Sequence, residues 1–445
     1  MGDEYSIAVL LGGLAFFIVI GVPIAFAMGM TAVTTILYIS ATSPFSFPLA
    51  VVFQKTSDGV DTFALLAIPF FVFAGAVMGE GGMAQRLVNF ANIFVGFLRG
   101  GLALVNILSS MFFGGISGSS VADVSSIGSI LIPMMKKQGY DDAFSVNVTI
   151  TSATQGVIIP PSHNAVLFAY SAGGGVSIAA LFLAGIVPGI MIGIILMILA
   201  VLIANRRGYP KGELVPLREA VKQSWEAIPG LMTVVIIVGG VVGGVFNATE
   251  AAAVAVVWSF FVSLVIYRDL PLRKIPHMLH NVVKTVAMVM IVIGFASAFG
   301  YLMTLMQVPQ SVGNFLIGLS ENKYVIIILV NLMLIALGTF MDMAPLILVT
   351  TPLFLPVMTQ LGYSPVHFGI VMLLNLSIGL ITPPVGTTLF VGCAVGKVSI
   401  EKVTRTMWPF WLAMVIVLLL VTFVPELTLW IPNAAYGDRI VPIPN

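Results

Sequence analysis

GVIIPPSHNAV, residues 156–166, and GLITPPVGTT, residues 379–388, decide how this chain folds. Each lies in a long apolar run, and each sets two adjacent prolines beside hydroxyl or amide side chains. Proline has no backbone N–H, clashes with the preceding helical turn and pushes the residue before it towards extended geometry. Both runs therefore read as helices broken inside an apolar environment. A break frees carbonyls and amides, which are costly if left unpaired in lipid. Such backbone is tolerated at membrane depth only where it is buried in protein or lines a cavity.

The composition supplies that environment. Of 445 residues, 59% are hydrophobic and 8% charged, outside the range of soluble globular chains. Continuous apolar blocks recur from about residue 5 to about residue 424, the first over about 5–39. They are long and unbroken, unlike the short alternating strands of a barrel, so the fold class is an all-α polytopic membrane protein. Net charge is +1, which gives nucleic acid no footing. Cys393 is the single cysteine, so no disulfide forms within the chain. Asp3 and Glu4 precede the first block in place of a basic n-region, so that block reads as a retained helix. NRRGYPKGELVPLREAVKQSWE, 205–226, is the most polar interruption, and its Arg206, Arg207, Lys211, Arg218 and Lys222 read as cytoplasmic.

Placing Pro160 on Pro383 gives an offset of 223 (383 − 160). At that offset Gly139-Tyr140 meets Gly362-Tyr363, Pro133 meets Pro356, Gly156 meets Gly379 and Pro160-Pro161 meets Pro383-Pro384. The expected organisation is a duplication. A first repeat covers 1–204, with a hairpin over about 101–138 and a broken helix over about 144–171. The basic linker 205–226 follows. A second repeat covers 227–430, with a hairpin over about 324–361 and a broken helix over about 366–395. A short polar tail takes 431–445. The hairpin tips are GGISGSSVAD (114–123) and GTFMDMAP (338–345). The runs flanking each tip are shorter than the ~20 residues of a full span, so they read as re-entrant. An odd number of crossings between the repeats would invert them, and paired broken elements point to a transporter's midplane site.

Hydroxyls cluster at four matching places. Ser117, Ser119 and Ser120 crowd the first tip, Thr339 and Asp342 the second, and Ser162, Thr382, Thr387 and Thr388 flank the breaks. Free carbonyls are hard ligands for a cation, and half-helix N-termini offer amides to an anion. Ser120, Ser162, His163, Asn164, Thr387 and Thr388 are the expected substrate contacts. An ionisable group within a membrane is costly and signals function. Asp342 reads as a cation ligand or proton carrier, and Asp123, a turn beyond its tip, as a second candidate or a cap. His163 reads as an anion contact, a proton carrier or a structural donor. Asn106, Asn147, Asn331 and Asn375 read as interhelical hydrogen-bonders.

GGISGSSVADVSSIGSILIPMMKKQGYD followed by GVIIPPS is similar to the large membrane (M) subunit of TRAP transporters, the tripartite ATP-independent periplasmic transporters. GTFMDMAPLILVTTPLFLPV and GLITPPVGTTLFV resemble that family's second hairpin and second broken helix, and NATEAAAVAV (247–256) resembles its Thr-Pro-Thr-Glu-Ala-Ala-Ala segment. The resemblance implies an elevator-type secondary transporter of the inner membrane with no enzymatic cofactor. It would take up small organic anions with Na⁺. C4-dicarboxylates are the default; sialic acids, 2-oxo acids and sulfonates also occur. A periplasmic substrate-binding protein (P subunit) would deliver the anion and a small membrane (Q) subunit would brace the scaffold. Carried over by position, one Na⁺ site falls at Ser117, Ser119, Gly156, Ile159 and Pro161. The other falls at Gly338, Asp342, Gly379, Thr382 and Pro384. Two places depart from the pattern. Asn247-Ala248-Thr249-Glu250 replaces Thr-Pro-Thr-Glu but keeps capping-box spacing, and His163-Asn164 stands where an apolar residue is expected.

Rival classes have less behind them. Gly115-Ile116-Ser117-Gly118 has the Gly-x-Ser-Gly form of rhomboid proteases, with His163 as a conceivable base for Ser117. A passive channel or a proton-coupled carrier would share the same apolar architecture. There is no Walker A loop and no His-Glu-x-x-His.

Overall fold

The computed structural model describes residues 4–42, 48–320 and 322–437, and these are helices joined by short turns. The first unit begins with α1 (Glu4–Val19), α2 (Ile24–Thr42), α3 (Ala50–Val60), α4 (Ala67–Glu80) and α5 (Met83–Val95). Its hairpin is α6 (Gly101–Ser117), α7 (Ser120–Asp123) and α8 (Ser129–Lys137), and its broken helix is α9 (Asp142–Ala153) with α10 (His163–Ser171), followed by α11 (Ile178–Arg207). The second unit begins with α12 (Leu217–Val234), α13 (Gly240–Val242), α14 (Ala248–Phe261), α15 (Ile275–Leu305) and α16 (Val308–Leu319). Its hairpin is α17 (Lys323–Gly338) and α18 (Met343–Gln360), and its broken helix is α19 (Pro365–Gly379) with α20 (Thr387–Gly396). The described chain closes with α21 (Ile400–Arg405), α22 (Trp408–Phe423) and α23 (Glu426–Tyr436). Among the described residues seven helices are long and apolar enough to cross a membrane, or eight if the bent pair α22–α23 is one span.

The ingoing hairpin arms, α6 with 17 residues and α17 with 16, are too short to cross. At 1.5 Å per residue they reach about 25 Å, against about 30 Å of hydrocarbon. Each arm is tied to its own broken helix by a buried polar pair. Ser152 Oγ donates to Asn106 Oδ1 at 3.3 Å in the first unit, and Asn375 Nδ2 donates to Asn331 Oδ1 at 2.9 Å in the second. Asn147 donates to Val403 O and Thr406 Oγ1, so each of the four asparagines bonds between elements.

The two units run in opposite directions, and Lys136 makes this visible. Its Nζ lies 3.3 Å from Asp142 Oδ1, at the start of the first broken helix, and donates to Gly396 O at 2.6 Å, at the end of the second. One broken helix therefore begins where the other ends. The packing is reciprocal, as a two-fold relation demands. α10 packs on the outgoing arm α18 of the other unit, and α20 packs on α7, α8 and the π-helical turn 124–128.

Four readings change at the level of elements. The first apolar block, 5–39, is two helices, because Gly21 (φ +87°) turns the chain and Pro23 opens α2 without an N–H to donate. The linker 205–226 is irregular only over 208–216. Arg206 and Arg207 end α11, and α12 has already begun by Lys222, whose Nζ faces Glu226 at 4.0 Å. Polar residues there are one face of an amphipathic helix rather than a loop. Residues 431–436, read as tail, continue α23, and 438–445 lie outside the described residues. At the hairpin–break crossings the register between units differs by one residue from the sequence offset: Gly114 meets Gly156, and Gly338, which is 224 further on (338 − 114), meets Gly379. Asn247 opens α14 with a complete capping box, accepting from Glu250 N at 2.8 Å while its own N–H donates to Glu250 Oε2 at 2.9 Å.

Candidate functional site

Each broken helix stops for a local reason. α9 ends at Ala153 and a tighter turn over 154–157 leads to Pro160-Pro161, α19 ends at Gly379 just before Pro383-Pro384, and both Pro-Pro peptide bonds are cis. Among the described residues no hydrogen bond ends on the carbonyl oxygens of Ile159, Pro160 and Pro161, nor on those of Thr382, Pro383 and Pro384. These are the same three positions in the two units (382 − 159 = 223).

The tips are pressed against the breaks by glycine. A Cβ on Gly114 would stand 2.5 Å from Gly156 Cα, and one on Gly379 would stand 2.7 Å from three backbone atoms of Gly338. Gly118 (φ +62°) ends α6 in the left-handed region and lets the chain turn into α7. Ser119 caps α7, accepting from Ala122 N at 3.4 Å. The first tip then meets the second broken helix across the repeats: Ser120 Oγ and Thr388 Oγ1 lie 2.8 Å apart, both buried.

Between these elements and helices α4 and α15 lies a cavity of about 420 Å³. The first tip and first break bring Ser117, Ser119, Ser120, Val157, His163 and Asn164 to it. The second tip and break bring Asp342, Leu380 and Thr387. Asp342 Oδ1 accepts from Thr387 Oγ1 at 3.1 Å, so the second tip and second half-helix are joined at the wall. His163 Nδ1 is buried without a hydrogen-bond partner among the described residues and sits over the first tip, 3.4 Å from where a Gly118 Cβ would stand. Asp342 and His163 are the ionisable lining residues, and no lysine or arginine is among them.

Several expected contacts lie elsewhere. Ser162 Oγ turns inward to Val157 O at 2.7 Å, and Thr382 Oγ1 turns back to Ile378 O at 2.7 Å, so neither hydroxyl faces the cavity. Thr388 is buried behind Ser120. Gly156, Gly338 and Gly379 form the crossings, while Ile159, Pro161 and Pro384 contribute free carbonyls. Asp123 is buried outside the cavity wall. The Ser110 hydroxyl faces it, yet neither carboxyl oxygen has a partner in hydrogen-bond geometry among the described residues. Ser117 Oγ stays within 3.4 Å of the Ser119 backbone, and no hydrogen bond joins it to His163, so the protease pair is not assembled.

The opposite wall was not foreseen. α15 presents Asn281, Thr285 and Val289, and α4 presents Val72, Gly75 and Ala76. Two polar residues at i and i+4 on an apolar helix are the available signal, and they mark one face. Gly75 and Gly79, also at i and i+4, let the first hairpin approach α4: a Cβ on Gly75 would stand 3.3 Å from Ser117 Cα and one on Gly79 would stand 2.9 Å from Ser126 Oγ.

The family model for the tripartite ATP-independent periplasmic transporter, DctM component, matches residues 11–427. The chain belongs to the DctM family. The relatives of this DctM-family chain include the uncharacterized protein YgiK of Salmonella typhimurium, 45% identical over 96% of this chain and 98% of that one. The C4-dicarboxylate TRAP transporter large permease DctM of Pseudomonas aeruginosa is 40% identical over 92% and 94%. The isethionate TRAP transporter permease DctMQ of Oleidesulfovibrio alaskensis is 39% identical over 95% of this chain and 66% of that one. The crystal structure of the YdaH transporter of Alcanivorax borkumensis superposes with a TM-score of 0.62 at 14% identity, covering 94% and 99%, a likeness of fold. This DctM-family chain is a multi-pass transporter permease and not an enzyme.

Proposed function

We propose that this permease carries out Na⁺-coupled uptake of a small organic anion across the inner membrane by an elevator motion. The observation that carries the reading is the composition of the cavity. It is lined by neutral donors and one carboxylate, Asp342, with no cationic side chain to meet an anion. In a low-dielectric site an anion beside Asp342 is repelled unless cations are bound with it. The two sets of free carbonyls, at 159–161 and 382–384, are oxygen ligands of the type that suits Na⁺. Ser117, Ser119 and Asp342 would complete the two sites. Na⁺ binding then lowers the cost of bringing the anion in, and His163, Asn164, Ser120 and Thr387 orient it.

The moving body is the pair of hairpins with their broken helices, joined through Ser120 and Thr388. Gly75 and Gly79 make α4 a smooth face for the first hairpin to slide along. By the positive-inside rule the end bearing Lys136, Lys137, Arg206, Arg207, Lys397, Lys402 and Arg405 is cytoplasmic. The cavity meets α15 at 281–289, the half nearer Lys274, which pairs with Glu80. We read this arrangement as the state that faces the cytoplasm. A periplasmic binding protein would deliver the anion, and a small Q-type membrane subunit would brace the scaffold. The fused name DctMQ of one relative supports such a second membrane component.

The test is uptake into proteoliposomes holding the permease with its small subunit, with the neighbouring binding protein outside. Labelled succinate, isethionate, pyruvate and sialic acid would be compared under inward Na⁺ and K⁺ gradients. Accumulation with Na⁺ alone, dependent on the binding protein, is expected and names the substrate. Equal accumulation with K⁺ would overturn Na⁺ coupling, and flux that only equilibrates without the binding protein would mean a channel.

A further inference from the structure

A second, smaller cavity of about 190 Å³ lies away from the transport site, where α9, α11 and α22 meet at the basic end. Phe144, Asn147, Arg206, Arg207, Thr406 and Phe410 line it. The two arginines differ in commitment. Arg207 is held in place, with Nη1 3.4 Å from Asp141 Oδ1 and 3.2 Å from Tyr209 Oη, and with its guanidinium 5.7 Å from the Phe144 ring centre. Arg206 is exposed and makes no ion pair or hydrogen bond among the described residues. The neighbouring charges are taken: Asp142 faces Lys136 and Lys402, and Arg405 faces Glu401.

Asn147 supplies the second observation. It is fully buried on the cavity wall, and its Nδ2 is fixed as donor by the carbonyl of Val403. That leaves Oδ1 as a buried acceptor, and it has no partner among the described residues. A buried polar atom of this kind needs a donor. The surface beside the cavity is apolar and exposed. Leu202 and Ile198, one and two turns before Arg206 on α11, and Trp408 and Leu412 on α22 are each more than half exposed, and Ile198 and Leu202 border a neighbouring apolar groove with Val95 and Leu98. Trp408 at the start of its helix marks the headgroup level, where tryptophan concentrates.

We propose that this cavity binds the headgroup of an anionic glycerophospholipid that also carries a hydroxyl, phosphatidylglycerol being the simplest case. Arg206 and Arg207 take the phosphodiester as charge-assisted donors. Asn147 Oδ1 accepts from the glycerol hydroxyl. The acyl chains lie along Ile198, Leu202 and Leu412, which is why the ligand is a lipid rather than free phosphate. Basic pockets between helices on the cytoplasmic side are suited to such headgroups.

The test uses the full-length permease, delipidated in detergent and examined by native mass spectrometry and thermal unfolding. Phosphatidylglycerol, phosphatidic acid, phosphatidylcholine and inorganic phosphate would be added separately. One molecule of phosphatidylglycerol is expected to stay bound and to raise the melting temperature, with phosphatidic acid weaker and phosphatidylcholine without effect. Arg206→Gln should weaken phosphatidylglycerol binding about fivefold, the effect of one interfacial charge. Arg218→Gln, an exposed arginine on α12, should leave it unchanged. Retention unaltered in R206Q, or phosphatidylcholine binding equally, would overturn the site. Equal stabilisation by inorganic phosphate would make it a free-anion site and overturn the lipid. Phosphatidic acid matching phosphatidylglycerol would overturn the role of Asn147.

Discussion

Gly379 has no room for a side chain, since an added Cβ would lie 2.7 Å from backbone atoms of Gly338 that cannot step aside. Gly379→Ala should therefore force the second hairpin off its break at a cost of about 1–3 kcal/mol. A lowered melting temperature in detergent checks this, and Gly318→Ala, where nothing lies within 4 Å, is the control expected to melt like the native chain. Asp342→Asn keeps an acceptor for Thr387 but removes the charge. Its Na⁺ concentration for half-maximal uptake should rise about tenfold, the equivalent of 1.4 kcal/mol, with uptake recovering at high Na⁺; an unchanged Na⁺ response would remove Asp342 from the site. At this scale the breaks were legible, because proline acts on its own backbone. Ser162 and Thr382 were not, because whether a hydroxyl faces a cavity or its own preceding turn is settled by a rotamer, and both turn inward.

Elements test the sliding of one body against another. After Cys393→Ala, paired cysteines at Gly75 and Ser117 would join α4 to the first tip, where the Cβ positions stand 3.6 Å apart, within disulfide range. Because Ser117 is itself a proposed Na⁺ ligand, the reduced variant is the reference: oxidation should abolish the uptake it retains, and reduction should return uptake to that level. Cysteines at Ser120 and Thr388 would join two parts of the proposed moving body, so their oxidation should leave uptake at the level of the same variant reduced, which the loss of the Ser120 hydroxyl already lowers. Arrest by both pairs would argue against a rigid hairpin body, and arrest by neither against sliding along α4. The hairpins and broken helices were readable from Gly-Tyr and Pro-Pro landmarks repeated at one offset. The α4 and α15 walls were not, because Asn281 and Thr285 are distant in sequence from both tips and nothing local announces their partner. The helix α12 was hidden for a different reason: its charged first turns carry the composition of a loop, while only the spacing of Lys222 and Glu226 carries the helix.

At the scale of the whole molecule the central feature is the meeting of two opposed units at one cavity that holds a carboxylate and no cationic side chain. Inversion was expected on the condition that an odd number of crossings separates the repeats, and Lys136, touching the start of one broken helix and the end of the other, gives it a physical form. What no single unit contains is the cavity itself, which needs tips, breaks and scaffold helices from both. In the proposed function the anion and its cations travel together through that cavity. The most direct measurement is simultaneous flux of radioactive sodium and labelled anion into the same proteoliposomes, with the binding protein outside and the internal volume free of both. The account predicts that each flux requires the other and that their ratio stays fixed as the anion concentration is varied. Anion accumulation with no sodium entering, or sodium entry at the same rate without the anion, would contradict it.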